Sequence, residues 1–236
     1  MSETGFFDRS VVDGGVRYPY QVYVPPGYDA AKRWPVVLFL HGAGERGNDG
    51  LLQTTVGIGP AIRRNPERFP AIVVMPQAPL DSFWGGPPGD AALVALDRTC
   101  EELAVDHDRV YLTGLSMGGH GSWILGYHHP QRFAAMVVIC GFVGDRPNRP
   151  SIVPSGPGTP YERVAERLRD MPIWIVHGDV DAAVPVDESR KIAAALRARG
   201  APVHYTELPG TNHDSWTAAY GSESIVRWLF EQRRRV

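Results

Sequence analysis

Cysteine is scarce in this chain: Cys100 and Cys140 are the two in 236 residues, too few for a disulfide framework. Cys140 ends an apolar run and Cys100 falls in a helical pattern, so both are expected as small packing residues. No charge of one sign dominates. Lys and Arg total 24 against 26 Asp and Glu, a formal net charge of -2, which gives no field to draw in nucleic acid or an anionic membrane surface. The one basic run, Arg233-Arg234-Arg235, reads as a solvated helix end where cations complement the dipole. No apolar stretch approaches the roughly 18 residues of a membrane span. Met1 to Asp8 shows neither the basic start nor the apolar core of a secretory signal, so a cytoplasmic protein is expected, with no nucleic-acid or membrane partner. Internal repeats, low-complexity linkers, G-x-G-x-x-G and the Walker Lys-Ser/Thr pattern are also missing, which argues against a nucleotide site. With 43% apolar and 21% charged residues, the composition fits one domain over 1–236 with a sizeable core.

What is present is an alternation of strands and helices. Residues 6–24 read as an antiparallel hairpin, with Val11-Val12 and the Tyr18/Tyr20/Val22/Val24 segment on either side of Asp13-Gly14-Gly15, a strong turn signal. Continuous apolar runs follow at Pro35 to Leu40, Ala71 to Met75, Val110 to Thr113, Ala134 to Ile139 and Ile173 to Val176, with a last strand at Val203 to Leu208. Such runs suit strands buried on both faces of a parallel sheet. Helical patterns separate them at residues 51–64, 91–103, 118–128, 161–169 and 187–199, and a closing helix is expected over Thr217 to Arg234. Gln77 to Gly89 reads as a loop, as do residues 141–160. The fold class is therefore α/β: a mostly parallel sheet with helices on both faces, an N-terminal antiparallel hairpin and no large cap.

The most informative stretch is Val110-Tyr-Leu-Thr-Gly114-Leu-Ser116-Met117-Gly118-Gly119. It reads as a buried strand, a sharp turn bearing Ser116 and the first turn of a helix. Glycine two residues before and two after the serine gives G-x-S-x-G, the nucleophile elbow. The spacing is steric: strand and helix approach too closely at the flanking positions for side chains. Oγ is thereby lifted clear of the sheet, and the Met117 amide at the helix N-terminus is aimed where an oxyanion would form.

A serine hydroxyl is a poor nucleophile near neutrality and needs a base, which needs an orienting carboxylate. In this kind of fold the chain order is Ser, then Asp or Glu, then His, at the carboxyl ends of strands. The next strand end carries His177-Gly-Asp179-Val-Asp181-Ala-Ala-Val-Pro185 and the last carries Thr211-Asn-His213-Asp214-Ser-Trp216. Asp179 and Asp181 compete for the orienting role. Asp181, deeper in the loop, is favoured, while Asp179 suits a local turn cap. Of eight histidines, only His213 follows the last strand, whereas His41 and His177 sit at strand ends where they brace loops. The loop His41-Gly42-Ala43-Gly44-Glu45-Arg46 leaves the strand expected beside the elbow strand, and an amide of Ala43 or Gly44 is the second oxyanion donor. Glu45 and Arg46 either pin this loop by an ion pair or meet the polar part of a substrate.

Together these segments resemble the α/β-hydrolase superfamily of serine esterases. They look like the group that includes feruloyl and acetyl-xylan esterases, polyhydroxybutyrate-depolymerase-like proteins and dienelactone-hydrolase or prolyl-oligopeptidase-type domains. The resemblance implies Ser116 as nucleophile, Asp181 over Asp179 as acid, His213 as base, and Ala43 with Met117 as oxyanion donors. The expected activity is hydrolysis of small acyl or aryl esters, hydroxycinnamoyl esters included, through an acyl-enzyme and with no metal or organic cofactor. Gly44, Glu45, Trp84 and Trp216 are the expected substrate contacts, with Phe142 a weaker one. The same triad serves peptidases and acyltransferases, though no gating domain of the peptidase kind is expected. A non-catalytic binding module on the same fold would be expected to lose a triad residue. The partner is a small-molecule ester, and the chain is expected as a monomer or homodimer.

Overall fold

The computed structural model describes residues 3–234. Eight strands form one sheet: β1 (Gly5–Asp13), β2 (Val16–Val24), β3 (Trp34–Leu40), β4 (Ile72–Pro76), β5 (Val105–Leu115), β6 (Ala135–Ile139), β7 (Ile173–Gly178) and β8 (Val203–Leu208). Their order is β1-β2-β4-β3-β5-β6-β7-β8. The β1–β2 and β2–β4 pairs are antiparallel and every later pair is parallel. The hairpin turns at Gly14 and Gly15, both with positive φ, which two-residue hairpin loops require.

Alternation along the central strands distributes the core between two faces. Val36, Leu38 and Leu40 of β3 pack on one side with α2 (Pro87–Glu102), α3 (Met117–His128), α4 (Pro160–Arg167) and α5 (Asp187–Ala198). Val37 and Phe39 pack on the other with α1 (Ile58–Arg64), α6 (Trp216–Gly221) and α7 (Glu223–Glu231). A strand covered on both faces has no polar side to show; hence the uninterrupted apolar runs.

Four boundaries differ from the sequence reading. β5 starts at Val105, five residues before its apolar run, and its pairing with β3 shifts register between Trp34 and Val36. Helix α2 starts at Pro87, inside the expected loop, because proline is tolerated in a first helical turn whose N–H groups have no partner anyway. Within residues 51–64, expected as a helical stretch with irregular parts, the α-helix proper starts only at Ile58, after a 3-10 turn at Leu52–Thr54. The closing helix is two: the Ser222 hydroxyl accepts from Ile225 N and caps α7, which ends at Glu231. The basic run is therefore not a solvated helix end. Arg234 donates to the Asp108 carbonyl and carboxylate and to Gln131 O, and Arg233 lies 3.4 Å from Asp106; Arg235 lies outside the described residues. Among the described residues no helix is long and apolar enough to cross a membrane. Residues 141–159 carry no helix or strand, as expected of a surface loop.

Candidate active site

β5 and α3 meet at Ser116, whose φ of 53° and ψ of -117° lie where side chains are rarely tolerated. The flanking glycines explain how the turn closes. A Cβ on Gly118 would sit 1.9 Å from Leu40 O, and one on Gly114 would sit 2.3 Å from Gly118 O. Any larger residue would force β3, β5 and α3 apart.

β3 is the direct parallel neighbour of β5, with Leu40 opposite Gly114. The loop leaving it starts with His41, which is fully buried. Its Nε2 accepts from Ala78 N at 3.0 Å and its Nδ1 lies 2.6 Å from Gly42 O. Burial holds this imidazole neutral, with its pKa down to about 4. Ala43–Glu45 is a 3-10 turn that begins right after Gly42. As first residues of their helical turns, Ala43 and Met117 have no intrahelical acceptor, and neither N–H is bonded elsewhere among the described residues. Glu45 and Arg46 do not pair with each other. Arg46 pins the loop through the carbonyls of Ala43 (2.9 Å) and Ser82 (3.4 Å). Glu45 Oε2 is buried without a hydrogen-bond partner, 4.0 Å from His41 Nδ1, and burial raises its pKa against the pull of the Gly42 amide.

β7 and β8 deliver the other groups to the same place. His213 Nε2 is 2.9 Å from Ser116 Oγ, and its Nδ1 is 2.7 Å from Asp181 Oδ2. Asp181 Oδ1 accepts from the amides of Ala183 (2.8 Å) and Val184 (2.9 Å). Burial opposes ionisation of Asp181, whose side chain is 0% exposed. The bonds from His213 and from Val184 and Ala183 outweigh it and hold the carboxyl below its usual range. Among the described residues no hydrogen bond or ion pair joins Asp179 to His213; its amide bonds to Leu208 O and its Oδ1 is buried without a hydrogen-bond partner.

The two tryptophans separate. Trp216 is half-buried, with its ring edge-on to His213 at 5.4 Å, so it borders the site. Trp84 is 1% exposed and donates its indole N–H to His41 O at 2.9 Å. It braces the loop from behind and presents no open face to a substrate. Phe142 is also buried, stacked on His120 at 4.0 Å. Ala43 and Gly44 are exposed at the rim. Cys140, Asp181 and His213 offer donor atoms within 4.8 Å of one another. Two of these donors are spent on each other, and burial pushes the Cys140 thiol up to about 12, so the set suits a hydrogen-bonded relay better than a metal.

His177 was expected to brace a loop, but its carboxylate partner was not anticipated from the sequence, nor was the role of Glu188. His177 Nε2 lies 3.1 Å from Asp181 Oδ2. Glu188 Oε2 accepts from Val143 N, Gly144 N and the Tyr161 hydroxyl, each at 2.9 Å, and so ties residues 143 and 144 to α5. The only hint was position: both lie beside the strand end and loop that carry Asp181.

Known proteins resemble this chain to different extents. A thermostable esterase of known structure is 33% identical and superposes with a TM-score of 0.84 over 97% of this chain and 63% of its own. S-formylglutathione hydrolase of Staphylococcus aureus is 16% identical with a TM-score of 0.74 over 98% of both chains, a likeness of fold alone. Dipeptidyl-peptidase 5 of Aspergillus fumigatus is 29% identical over 81% of this chain and 30% of its own length, and that of Porphyromonas gingivalis is 25% identical over 85% and 33%. The chain thus spans about a third of the curated relatives it matches. The model of the family described as putative esterase matches residues 96–223, more than half of the chain, from within α2 to the first residue of α7, and the protein belongs to that esterase family.

Proposed function

We propose that the protein is a serine carboxylesterase for small acyl or aryl esters, with Ser116, His213 and Asp181 as its catalytic residues. The observation that carries the reading is the unbroken hydrogen-bonded line from Ser116 Oγ through His213 to Asp181 Oδ2, starting at a serine in a strained turn. Ser116 Oγ attacks the ester carbonyl while His213 Nε2 takes its proton. The carbonyl oxygen gains a negative charge as the tetrahedral intermediate forms, and the free N–H groups of Ala43 and Met117 receive it. Collapse breaks the bond to the alcohol, which leaves with the proton from His213. Water then attacks the acyl-enzyme with the same histidine as base, releasing the acid and restoring the Ser116 hydroxyl. Asp181 keeps the His213 Nδ1–H in place, so that Nε2 is the basic nitrogen.

The exposed rim at Ala43 and Gly44 and the half-buried Trp216 beside His213 suit a short acyl or flat aromatic group, hydroxycinnamoyl included. A second reading, cleavage of peptide amides, is favoured by the relatives named dipeptidyl-peptidase 5. The test is initial rates on p-nitrophenyl acetate and butyrate, methyl ferulate and dipeptidyl p-nitroanilides, with Ser116→Ala beside the wild type. The proposal expects esters to be preferred, with a loss of roughly 10³-fold or more in Ser116→Ala. Faster anilide than ester cleavage would replace it by the second reading, and near-normal rates in Ser116→Ala would remove Ser116 from the mechanism.

A further inference from the structure

His177 is the penultimate residue of β7, and its ring is fully buried. Three contacts fix where its proton sits. Nε2 lies 3.1 Å from Asp181 Oδ2 and 3.0 Å from Val184 O. Both of these oxygens only accept. Nδ1 lies 2.7 Å from Ser189 Oγ of α5, a buried hydroxyl that can donate. The ring is neutral, because burial lowers its pKa against the pull of Val184 O and Asp181, so it carries a single N–H. With that hydrogen on Nε2, all three contacts are satisfied. With it on Nδ1, a lone pair would face two oxygens, a costly arrangement away from water.

Asp181 Oδ2 therefore receives two imidazole N–H groups, one from His213 and one from His177, while Oδ1 takes two backbone amides. A carboxylate held by four donors cannot turn about its Cβ–Cγ bond without breaking several of them. It is also less basic toward any one of them than a carboxylate serving fewer.

We propose that His177, locked in one tautomer by the two acceptors at its Nε2, Val184 O and Asp181 Oδ2, is a positioning residue for ester hydrolysis. Its Nε2–H fixes the orientation of Asp181 and moderates how strongly that carboxylate stabilises the imidazolium formed at His213. The inference rests on the assignment of Ser116, His213 and Asp181 made above.

The neighbouring ionisable groups do not compete for this role. Glu207 of β8 is bonded to Arg190 and Tyr205, and those bonds hold its carboxyl down to about 2. Cys140, at the end of β6, is pushed by burial up to about 12. The Asp214 oxygens take the Thr217 amide and hydroxyl. Glu188 of α5 is spent on Val143, Gly144 and Tyr161.

The test compares His177→Leu, which has no donor, with His177→Gln, whose side-chain N–H can reach the place of Nε2. Rates on p-nitrophenyl butyrate are read from pH 5 to 9, with circular dichroism and thermal melts confirming the fold. His177→Leu should lower kcat about 10- to 100-fold with KM within about twofold, the range seen when an outer partner of a working histidine is removed. Its acidic limb of kcat/KM should move up by about half to one pH unit, because Asp181 then concentrates its charge on His213 and the protonated base persists to higher pH. His177→Gln should restore most of the rate and return the limb. Ser189→Ala removes the partner of Nδ1 but leaves Val184 O and Asp181 Oδ2 facing Nε2, so the tautomer is kept: the loss should be smaller than in His177→Leu and the limb should stay in place. A folded His177→Leu with an unmoved limb, or a glutamine variant no better than leucine, overturns the proposal. If His177→Leu does not fold, His177→Met, which also lacks a donor, is read in its place by the same criteria. Ser116→Ala, assayed in parallel, separates the two levels: full activity there removes the underlying mechanism, whereas its loss beside silent His177 variants removes only this inference.

Discussion

On the β7 and β8 side of Ser116, both oxygens of Asp181 are taken, by two imidazoles and two amides, and the His213 ring is bonded at both nitrogens. On the β3 side, among the described residues, the Ala43 N–H has no partner and Glu45 Oε2 is buried without one. The first side is finished before substrate arrives, and the second leaves donor capacity open. That division suits acyl transfer. The base must already be oriented when the reaction starts, whereas oxyanion donors work best when kept free for charge that exists only in the transition state.

The largest break in this comparison should come from the finished side. Asp181→Asn replaces an acceptor by an N–H donor, turning the His213 tautomer the wrong way, and kcat should fall about 10³- to 10⁴-fold. Asp179→Asn should stay within a few-fold, since the carboxylate bonded to His213 is that of Asp181. Stopped-flow or steady-state rates on one p-nitrophenyl ester decide it, and a reversed order would show that the wrong aspartate had been assigned.

A smaller effect is expected on the open side. A Cβ at Gly42 would stand 3.0 Å from Leu115 Cδ1, 3.1 Å from Glu45 Oε2 and 3.7 Å from Ser116 Cβ. Gly42→Ala should therefore displace the Ala43–Glu45 turn, the loop proposed to supply an oxyanion donor, cutting kcat/KM about 10- to 100-fold while leaving the fold recognisable by circular dichroism. A silent Gly42→Ala would mean that this loop takes no part in the chemistry.

The smallest effect sharpens the contrast through stability alone. The Glu45 pKa is raised in the folded protein by burial, so the native state binds that proton more tightly than the unfolded chain. Its favourable contribution is present below the ordinary carboxyl pKa and is lost as pH rises through the folded value. Glu45→Gln cannot ionise, so its Tm should exceed the wild type by about 1–3 °C at pH 8, with the gap closing near pH 4. Thermal melts at the two pH values check the sign. A Tm gap that instead widens toward low pH would show Glu45 to be a paired carboxylate.

Much of this was legible in the sequence because the fold imposes it. β3, β4, β6 and β7 read as apolar runs since both faces are covered, and G-x-S-x-G stood out because a Cβ on Gly114 or Gly118 would meet backbone within 2.3 Å. That Ser116 and His213 meet could be expected from their order along the chain, since each follows a strand of one parallel sheet, whereas choosing Asp181 over Asp179 took its place deeper in the loop and the family pattern as well. What stayed hidden depended on direction and partner. An aromatic in a Pro/Gly loop does not reveal which way it faces, and Trp84 turned inward because His41 O accepts its N–H. Polar residues 106–109 concealed the first half of β5, and Ser222 looked like an ordinary helix residue until its hydroxyl proved to cap α7. That His177 braces a loop was expected from its place at a strand end, but that its Nε2 meets the Asp181 carboxylate could not be read. A tautomer is decided by partners from three places in the chain, Asp181, Val184 and Ser189.

The central claim is that Ser116 is the nucleophile. Its most direct test is covalent capture with an ethyl p-nitrophenyl alkylphosphonate, in which Oγ displaces p-nitrophenolate and stays bonded to phosphorus. Peptide mass spectrometry should find one phosphonyl group per chain, on Ser116, with p-nitrophenolate release and loss of esterase activity in step. Label on another residue that tracks inactivation, or full activity in protein labelled at Ser116, would contradict the account.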